Sequence, residues 1–404
     1  MKTAMSEYTH FCVLEKRKRL IFKQKNTIYS TMIKLTRSLL VAALVLSAVS
    51  SFAHAEPTYV GEMQDYRTVR EDDTLIEIAY RENLGYVELR AANPSLDPWL
   101  PGYNEKVILP KQHLLPDAPH KDIVINLGEM RLYFYPGKGR PIQTYPLGIG
   151  REGLLTPKGT TTITRKKDKP SWSPTERMRK EKPELPATVG PGPDNPMGSA
   201  ALYLGWPLYA IHGTNTPWGI GRRVSSGCLR MYNEDITKLY GQVPVGTTVT
   251  VVDQPVKTAW IDGRFYIEAH PNAYQSDKIV NTYEDIDYEV SEKELSAIFK
   301  AVGEYKDQID WKDVRKALRY RAGYPVVVSG KIKDNADKKT EDKLATTNDG
   351  HKSDNDVVAD IPVQKVEPED IKPSKKPWKK TKAQKEVDTE ERQDQAVSLT
   401  DLNN

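Results

Sequence analysis

The sequence predicts a mostly β domain with short helices, preceded by a small α/β unit and followed by a disordered, charged tail. Three observations carry this. Short apolar strands punctuated by Gly and Pro run from Asp122 to Asp253. Ahead of them, residues 64–110 read as strand, helix, helix, strand. From Lys331 onward apolar residues are sparse, and Lys, Asp, Glu, Asn and Pro dominate.

Length and charge set outer bounds. The chain of 404 residues is long enough for two or three domains. Lys and Arg total 59 against 55 Asp and Glu, a net charge of +4. That balance points away from nucleic acid, which calls for a concentrated basic stripe. Apolar residues make up only 38%, so part of the chain is expected not to pack.

Residues 1–55 read as a signal-peptide region. Leu39 to Ala55, "LLVAALVLSAVSSFAHA", is apolar and ends in Ala53-His54-Ala55, a small-x-small cleavage pattern. Lys34 and Arg37 precede it, and Met32 begins a better-proportioned signal than Met1. The apolar core is shorter than the roughly 20 residues a bilayer span needs. An exported protein with no stable membrane span after processing is therefore expected. Cys12 would leave with the signal, so Cys228 would remain as the lone thiol. A lone thiol is a buried inert group, half of an intermolecular disulfide, or a nucleophile.

In the unit at 64–110, "YRTVREDDTLIEIAYREN" opens with a strand. Asp72 or Asp73 is expected to cap a helix with Leu75, Ile78 and Ala79 on one face. "LRAANPSL" is a second helix stopped at Asn93-Pro94, and "KVILP" closes the unit. Residues 111–121 read as a proline-bearing linker. In the β domain, 120–254, "DIVINLGEMRLYFYP" gives two strands around Gly128, and "QVPVGTTVTVVD" is the last strand. Lys166 to Ser199, rich in Pro and Lys and carrying Trp172, is an insertion long enough to suggest a lid. "GIGREG" fits a dinucleotide pattern only formally, because no helix follows it. Residues 255–330 form a mixed α/β accessory region. There Ser291 and Glu294 predict a capping box, and Gly323 a stop for the helix in "DWKDVRKALRYRAG". Residues 331–404 are the tail.

"YAIHGTNTPWGIGRRVSSGCLRMY" carries the chemistry. Tyr209 to Ile211 reads as a strand delivering His212 at its end, and Gly213 permits a tight turn. "CLRM" reads as the next strand, so a loop joining two strand ends would bring His212 and Cys228 side by side. Gly227 lets the backbone turn N–H groups toward a carbonyl oxygen. Arg222, Arg223 and Arg230 would favour the thiolate. The plain alternative for His212 is a structural histidine bonded to backbone. One Cys and one nearby His are too few for zinc.

"HGTN" followed by "SSGCLRM", with His212 and Cys228 sixteen positions apart, resembles the signature of the YkuD-type L,D-transpeptidases. "YPLGIGREGLLTPKG", "PGPDNPMGSAALYL" and "VGTTVTVVD" extend the likeness over roughly residues 120–254. The first unit resembles a LysM peptidoglycan-binding module through Val69, Asp73, Thr74, Leu75, Ile78, Ala79, Asn93, Pro94 and "VILP". The resemblance implies a YkuD-like β-sandwich, with Cys228 as nucleophile and His212 as general base and then acid. Gly213, Ser226, Gly227 and Arg230 would contact substrate, the Ser226–Cys228 backbone framing an oxyanion site. Cys228 would attack the diaminopimelate–D-Ala bond of a stem peptide. An amine would resolve the thioacyl-enzyme: another diaminopimelate, giving a 3-3 cross-link, or a lysine of an outer-membrane lipoprotein. Water as acceptor would make it an L,D-carboxypeptidase or amidase. A non-catalytic wall-binding protein is the remaining reading. The implied partners are stem peptides and glycan strands, the location periplasmic, and no cofactor or metal is needed.

Overall fold

The computed structural model describes residues 58–330 apart from 63, 69, 71, 72, 138 and 283–287. The signal segment, Met32, Cys12, Val69, Asp72 and the tail lie outside the described residues.

A two-residue strand β1 (Tyr59–Val60) is followed by β2 (Gln64–Thr68), helices α1 (Leu75–Arg81) and α2 (Tyr86–Ala92), and β3 (Lys106–Leu109). β2 and β3 pair antiparallel. The cap of α1 differs from expectation: it is Thr74. Its hydroxyl accepts from Glu77 N–H at 3.2 Å, and the Glu77 carboxylate accepts from Thr74 N–H at 3.1 Å. Asp73 is drawn aside by Arg81 at 2.6 Å. Leu75, Ile78 and Ala79 fill a small core with Leu84, Leu89, Val107 and Leu109. Asn93 locks the unit by donating to Leu89 O and Ile108 O and accepting from Ile108 N–H.

The segment expected as a linker contains β4 (His113–Leu114), which pairs with β1. His113 and Leu114 are buried, so this stretch is an integral layer of the fold. Its partners lie outside the segment, Tyr59 and Val60 on one side and Glu268 and Lys257 on the other, which local composition does not reveal.

The β domain contributes β5 (Asp122–Asn126), β6 (Arg131–Tyr135), β7 (Gln143–Pro146), β8 (Ile149–Gly150), β9 (Gly159–Asp168) and α3 (Glu176–Glu181). It continues with β10 (Ala200–Leu204), β11 (Ala210–His212), β12 (Arg223–Ser225), β13 (Leu229–Arg230), α4 (Asn233–Gln242) and β14 (Thr248–Val252). The fold is mostly β, as expected. Eight strands join in one curled sheet of order β13-β11-β10-β9-β14-β5-β6-β7. β14 lies inside it, parallel to β5 and antiparallel to β9. The expected insertion leaves and rejoins the sheet between β9 and β10, which pair antiparallel. It is drawn together by a Trp172–Val189 bridge and by Asn195, which donates to Pro170 O and Gly190 O.

β5 and β6 bury both faces. Ile123, Ile125, Leu132 and Phe134 enter the main core, while Val124 and Tyr133 pack with Leu115 on the other side. The accessory region follows: β15 (Val256–Ile261), β16 (Arg264–Ala269), α5 (Ala273–Asn281), α6 (Glu292–Val302), α7 (Trp311–Tyr320) and β17 (Val326–Val327), with Ile279 of α5 packed into the main core. The Ser291–Glu294 capping box opens α6, as its sequence predicts. α7 ends at Arg321, which takes the left-handed conformation (φ 46°), two residues before Gly323. Phe265, Ile267, Ile298, Val314 and Leu318 give this region its own core.

A buried ionic cluster joins these parts. Lys257 Nζ lies 2.6 Å from Glu129 and 3.0 Å from Glu268, and donates to Leu114 O at 2.6 Å. His270 and His113 meet Glu268 at 2.6 and 3.2 Å. His113 also reaches Glu88 of α2, which Arg131 holds at 2.5 Å. Burial alone would raise both carboxyls. Arg131 and His113 hold Glu88 below the usual carboxylate range, and Lys257 with the two imidazoles holds Glu268 well below it. Removing the ammonium while leaving two buried carboxylates should cost about 3–5 kcal/mol. Lys257→Met is therefore expected to lower the urea-unfolding free energy by about that amount, and a near-neutral effect would refute this account.

Candidate active site

β11 and β13 run parallel at the sheet edge, with Ile211 opposite Leu229 and His212 opposite Arg230. Cys228 immediately precedes Leu229, so alternation puts it on the same face as Arg230 and His212. The sequence expectation that a loop returns residue 228 to the end of the His212 strand matches this arrangement. The thiol, however, donates to Leu208 O at 3.4 Å rather than to the imidazole.

His212 is buried, and its Nδ1 lies 2.6 Å from Gly213 O. A carbonyl only accepts, so Nδ1 carries the hydrogen and Nε2 keeps a free lone pair. Burial, aided by the Arg230 charge and only partly offset by the Gly213 bond, depresses the imidazole pKa to about 4. Burial pushes the Cys228 thiol above its ordinary value, and a hydrogen bond that the sulfur accepts from the Ala210 backbone N–H and the Arg230 charge pull it partly back. The resting pair at neutral pH is thiol and neutral imidazole.

Of the three arginines expected to favour the thiolate, only Arg230 acts on it. Arg222 lies 4.2 Å over the Tyr86 ring, and Arg223 faces Asp277 at 3.8 Å. Two main-chain bonds between Arg230 and Gly148, 2.9 and 2.8 Å, hold the arginine strand against the start of β8.

Several positioning residues escaped the sequence reading. Gly227 N–H donates to Ser225 Oγ at 3.1 Å, and Ser225 in turn donates to Cys228 O. Thr156 donates to Gly227 O at 2.9 Å. The Gly227 amide, expected to face an oxyanion, is thus committed to shaping the turn. Asn233 accepts from Ser199 and Thr214 N–H and donates to Thr214 O, pinning the chain after His212. A Cβ on Gly213 would sit 2.2 Å from Asn233 Oδ1, so that position must be glycine. Leu208 adopts φ 70° and is 83% exposed, a costly conformation for a branched side chain that aims its carbonyl at the thiol. Thr156 and Ser225 lie inside "LLTPKG" and "SSGC", but nothing local marks their roles. Ser226 is half-buried beside this turn.

A metal would find four buried donors, His113, Glu129, Glu268 and His270, within 4.8 Å of one another. Lys257 already supplies the cation there. Among the described residues no helix is long and apolar enough to cross a membrane.

Comparison with known proteins accords with this geometry. The family model described as the YkuD L,D-transpeptidase catalytic domain matches residues 120–251. A probable L,D-transpeptidase of Escherichia coli K12, ErfK/SrfK, is 40% identical over 253 residues, covering 61% of this chain and 79% of its own. The chain belongs to the YkuD L,D-transpeptidase family. Two further family members from Escherichia coli K12 are similar. The probable L,D-transpeptidase YbiS is 46% identical over 236 residues, 55% of this chain and 76% of its own. The probable L,D-transpeptidase YcfS is 39% identical over 280 residues, 67% of this chain and 84% of its own.

Gly227 takes φ 104°, and a Cβ there would lie 2.7 Å from the Tyr209 ring. Gly227→Ala should therefore lower stability by about 1–3 kcal/mol and speed disulfide exchange at Cys228 as the turn opens. Calorimetry and thiol-exchange kinetics report both, and an unchanged protein would contradict the strain argument.

Proposed function

We propose that the protein is an exported, periplasmic, cysteine-dependent L,D-transpeptidase acting on peptidoglycan stem peptides. The observation that carries this is the tautomer of His212. Its Nδ1–H is spent on Gly213 O, which leaves Nε2 as a base on the face that carries Cys228.

In this reading Nε2 takes the thiol proton as sulfur bonds to the carbonyl carbon of the stem peptide's diaminopimelate residue. The thiol leaves Leu208 O to do so, since such contacts tighten only with substrate bound. The Ser226 and Cys228 amides receive the oxyanion, with Gly227 setting their turn and Gly213 orienting the base. The carbon–nitrogen bond to D-Ala then breaks, and the imidazolium returns its proton to the departing amine. An acceptor amine attacks the thioester, gives its proton to Nε2 and releases Cys228. The amine is a second diaminopimelate side chain or a lipoprotein lysine. Arg230 orients a substrate carboxylate. The strand–helix–helix–strand unit serves as a LysM-like glycan-binding module.

Mass spectrometry of the protein incubated with a tetrapeptide stem should show a thioacyl adduct on Cys228 with loss of D-Ala. Cys228→Ala should show none, and His212→Ala should form it about 10²–10⁴-fold more slowly. Cross-linked product made by Cys228→Ala would sink the reading, and hydrolysis alone despite added amine would favour the carboxypeptidase.

The pH profile gives a separate check. His212 loses its basic lone pair only near pH 4, and the thiol ionises only above its ordinary range. The apparent second-order rate of acylation should therefore be flat across neutral pH and fall on the acid side near pH 4. A bell centred at neutrality, the mark of a preformed thiolate–imidazolium pair, would count against a neutral resting pair.

A further inference from the structure

Helix α2 of the first unit serves two cores. Leu89 belongs to the unit's own core with Leu75 and Ile78, while Tyr86, Val87 and Ala91 belong to the main core of the large sheet. A helix shared in this way cannot swing free of the β domain.

Its first turn also meets the segment that leads into the thiol. The first N–H groups of a helix have no partner within it. In α2 two of them are spent across the seam: Tyr86 N–H donates to Ile220 O at 3.2 Å and Val87 N–H to Gly221 O at 3.3 Å. The approach demands glycine on both sides. A Cβ on Gly221, at φ 77°, would lie 2.3 Å from Gly85 Cα, and one on Gly85 would lie 2.9 Å from Gly221 Cα. Arg222 then lies 4.2 Å over the Tyr86 ring, which is buried. Beyond the cysteine in the chain, Tyr232 OH donates to Leu84 O at 3.0 Å.

From this seam to the sulfur the main chain is bonded nearly throughout. Gly221 N–H donates to Leu147 O, Ile149 N–H to Arg222 O and Arg151 N–H to Ser225 O, each at 3.0 Å. β12 pairs parallel with β8, and Gly148, one residue before β8, exchanges both of its main-chain bonds with Arg230. A shift of residues 220–222 would therefore pass to the turn at Cys228 and, through Gly148, to Arg230.

We propose that Tyr86, Gly221 and Arg222 are positioning residues for the Cys228 turn, and that the first unit acts as a clamp on it. This rests on the transpeptidase reading and goes beyond it: the clamp is needed for chemistry on a peptide that carries no sugar. A wall anchor raises the local concentration of substrate and so moves KM. A clamp holds the nucleophile within reach of a bound carbonyl and so moves kcat.

The test uses the full chain and a free stem tetrapeptide. Tyr86→Ala removes the ring beneath Arg222, and Tyr86→Phe keeps it. In Tyr86→Ala the kcat of acylation should fall about 10- to 100-fold with KM within about twofold, and Tyr86→Phe should restore it. Exchange of Cys228 with a small aromatic disulfide is followed across pH in parallel. Loosening the turn exposes the sulfur, so the midpoint in Tyr86→Ala should move down toward that of an ordinary thiol. A residue that only stabilises the fold would shift neither in protein held below its melting transition. Should Tyr86→Ala unfold at the assay temperature, Arg222→Gln, which alters no side chain of the first unit, decides by the same two readouts. A folded variant with native kcat and native exchange midpoint, or with KM alone raised, overturns the clamp. A native protein that never acylates, while its exchange midpoint still moves with Tyr86, would keep the clamp and remove the enzymatic reading.

Discussion

A single buried ammonium, Lys257, sits between two carboxylates that come from different parts of the chain. Glu129 belongs to the turn between the first two strands of the large sheet, and Glu268 to the accessory sheet. Through His113 and Glu88 the same cluster reaches the first unit. Charges taken this far from water are tolerated only when paired and hydrogen-bonded. The cluster therefore admits one arrangement of its contributors. The apolar cores on either side would tolerate sliding; the ion pairs would not. The first unit meets the loop before Cys228 through separate main-chain bonds, Tyr86 N–H to Ile220 O and Val87 N–H to Gly221 O.

The proposed reaction centre lies at the opposite kind of place, an edge of the sheet rather than its middle. Parallel pairing of β11 with β13 puts an imidazole and an arginine opposite one another, with the cysteine one residue before the ladder begins. Arg230 then acts on both groups in the same direction, against protonating the histidine and toward ionising the sulfur. Burial opposes it at the sulfur and reinforces it at the ring. The result is an uncharged pair whose charge separation waits for a substrate.

Legibility in the sequence divides along physical lines. His212 and Cys228 could be read because strand ends, glycines and loop length are local signals. The helix faces of α1 and the cap of α6 were equally local. The cap of α1 was misassigned because Asp73 and Thr74 are both good caps, and only Arg81 decides between them by occupying the aspartate. His113 and Leu114 read as linker because the groups that bury them, the strand Tyr59–Val60 and the carboxylate of Glu268, lie outside the segment and leave no local signal. Ser225, Thr156 and Asn233 shape the active-site turn through bonds to backbone atoms, which leave no pattern in side-chain chemistry. The direction of Arg222 and Arg223, away from the sulfur, depended on Tyr86 and Asp277 in other elements.

The raised thiol pKa has a consequence for the protein's endurance. Peroxides and foreign disulfides react with the thiolate, and a sulfur kept protonated offers them little. A thiolate at this position would otherwise climb toward sulfenic and sulfinic acids on meeting an oxidant. The same burial that keeps the sulfur protonated also keeps the neighbouring imidazole neutral, so the pair rests in its least reactive form.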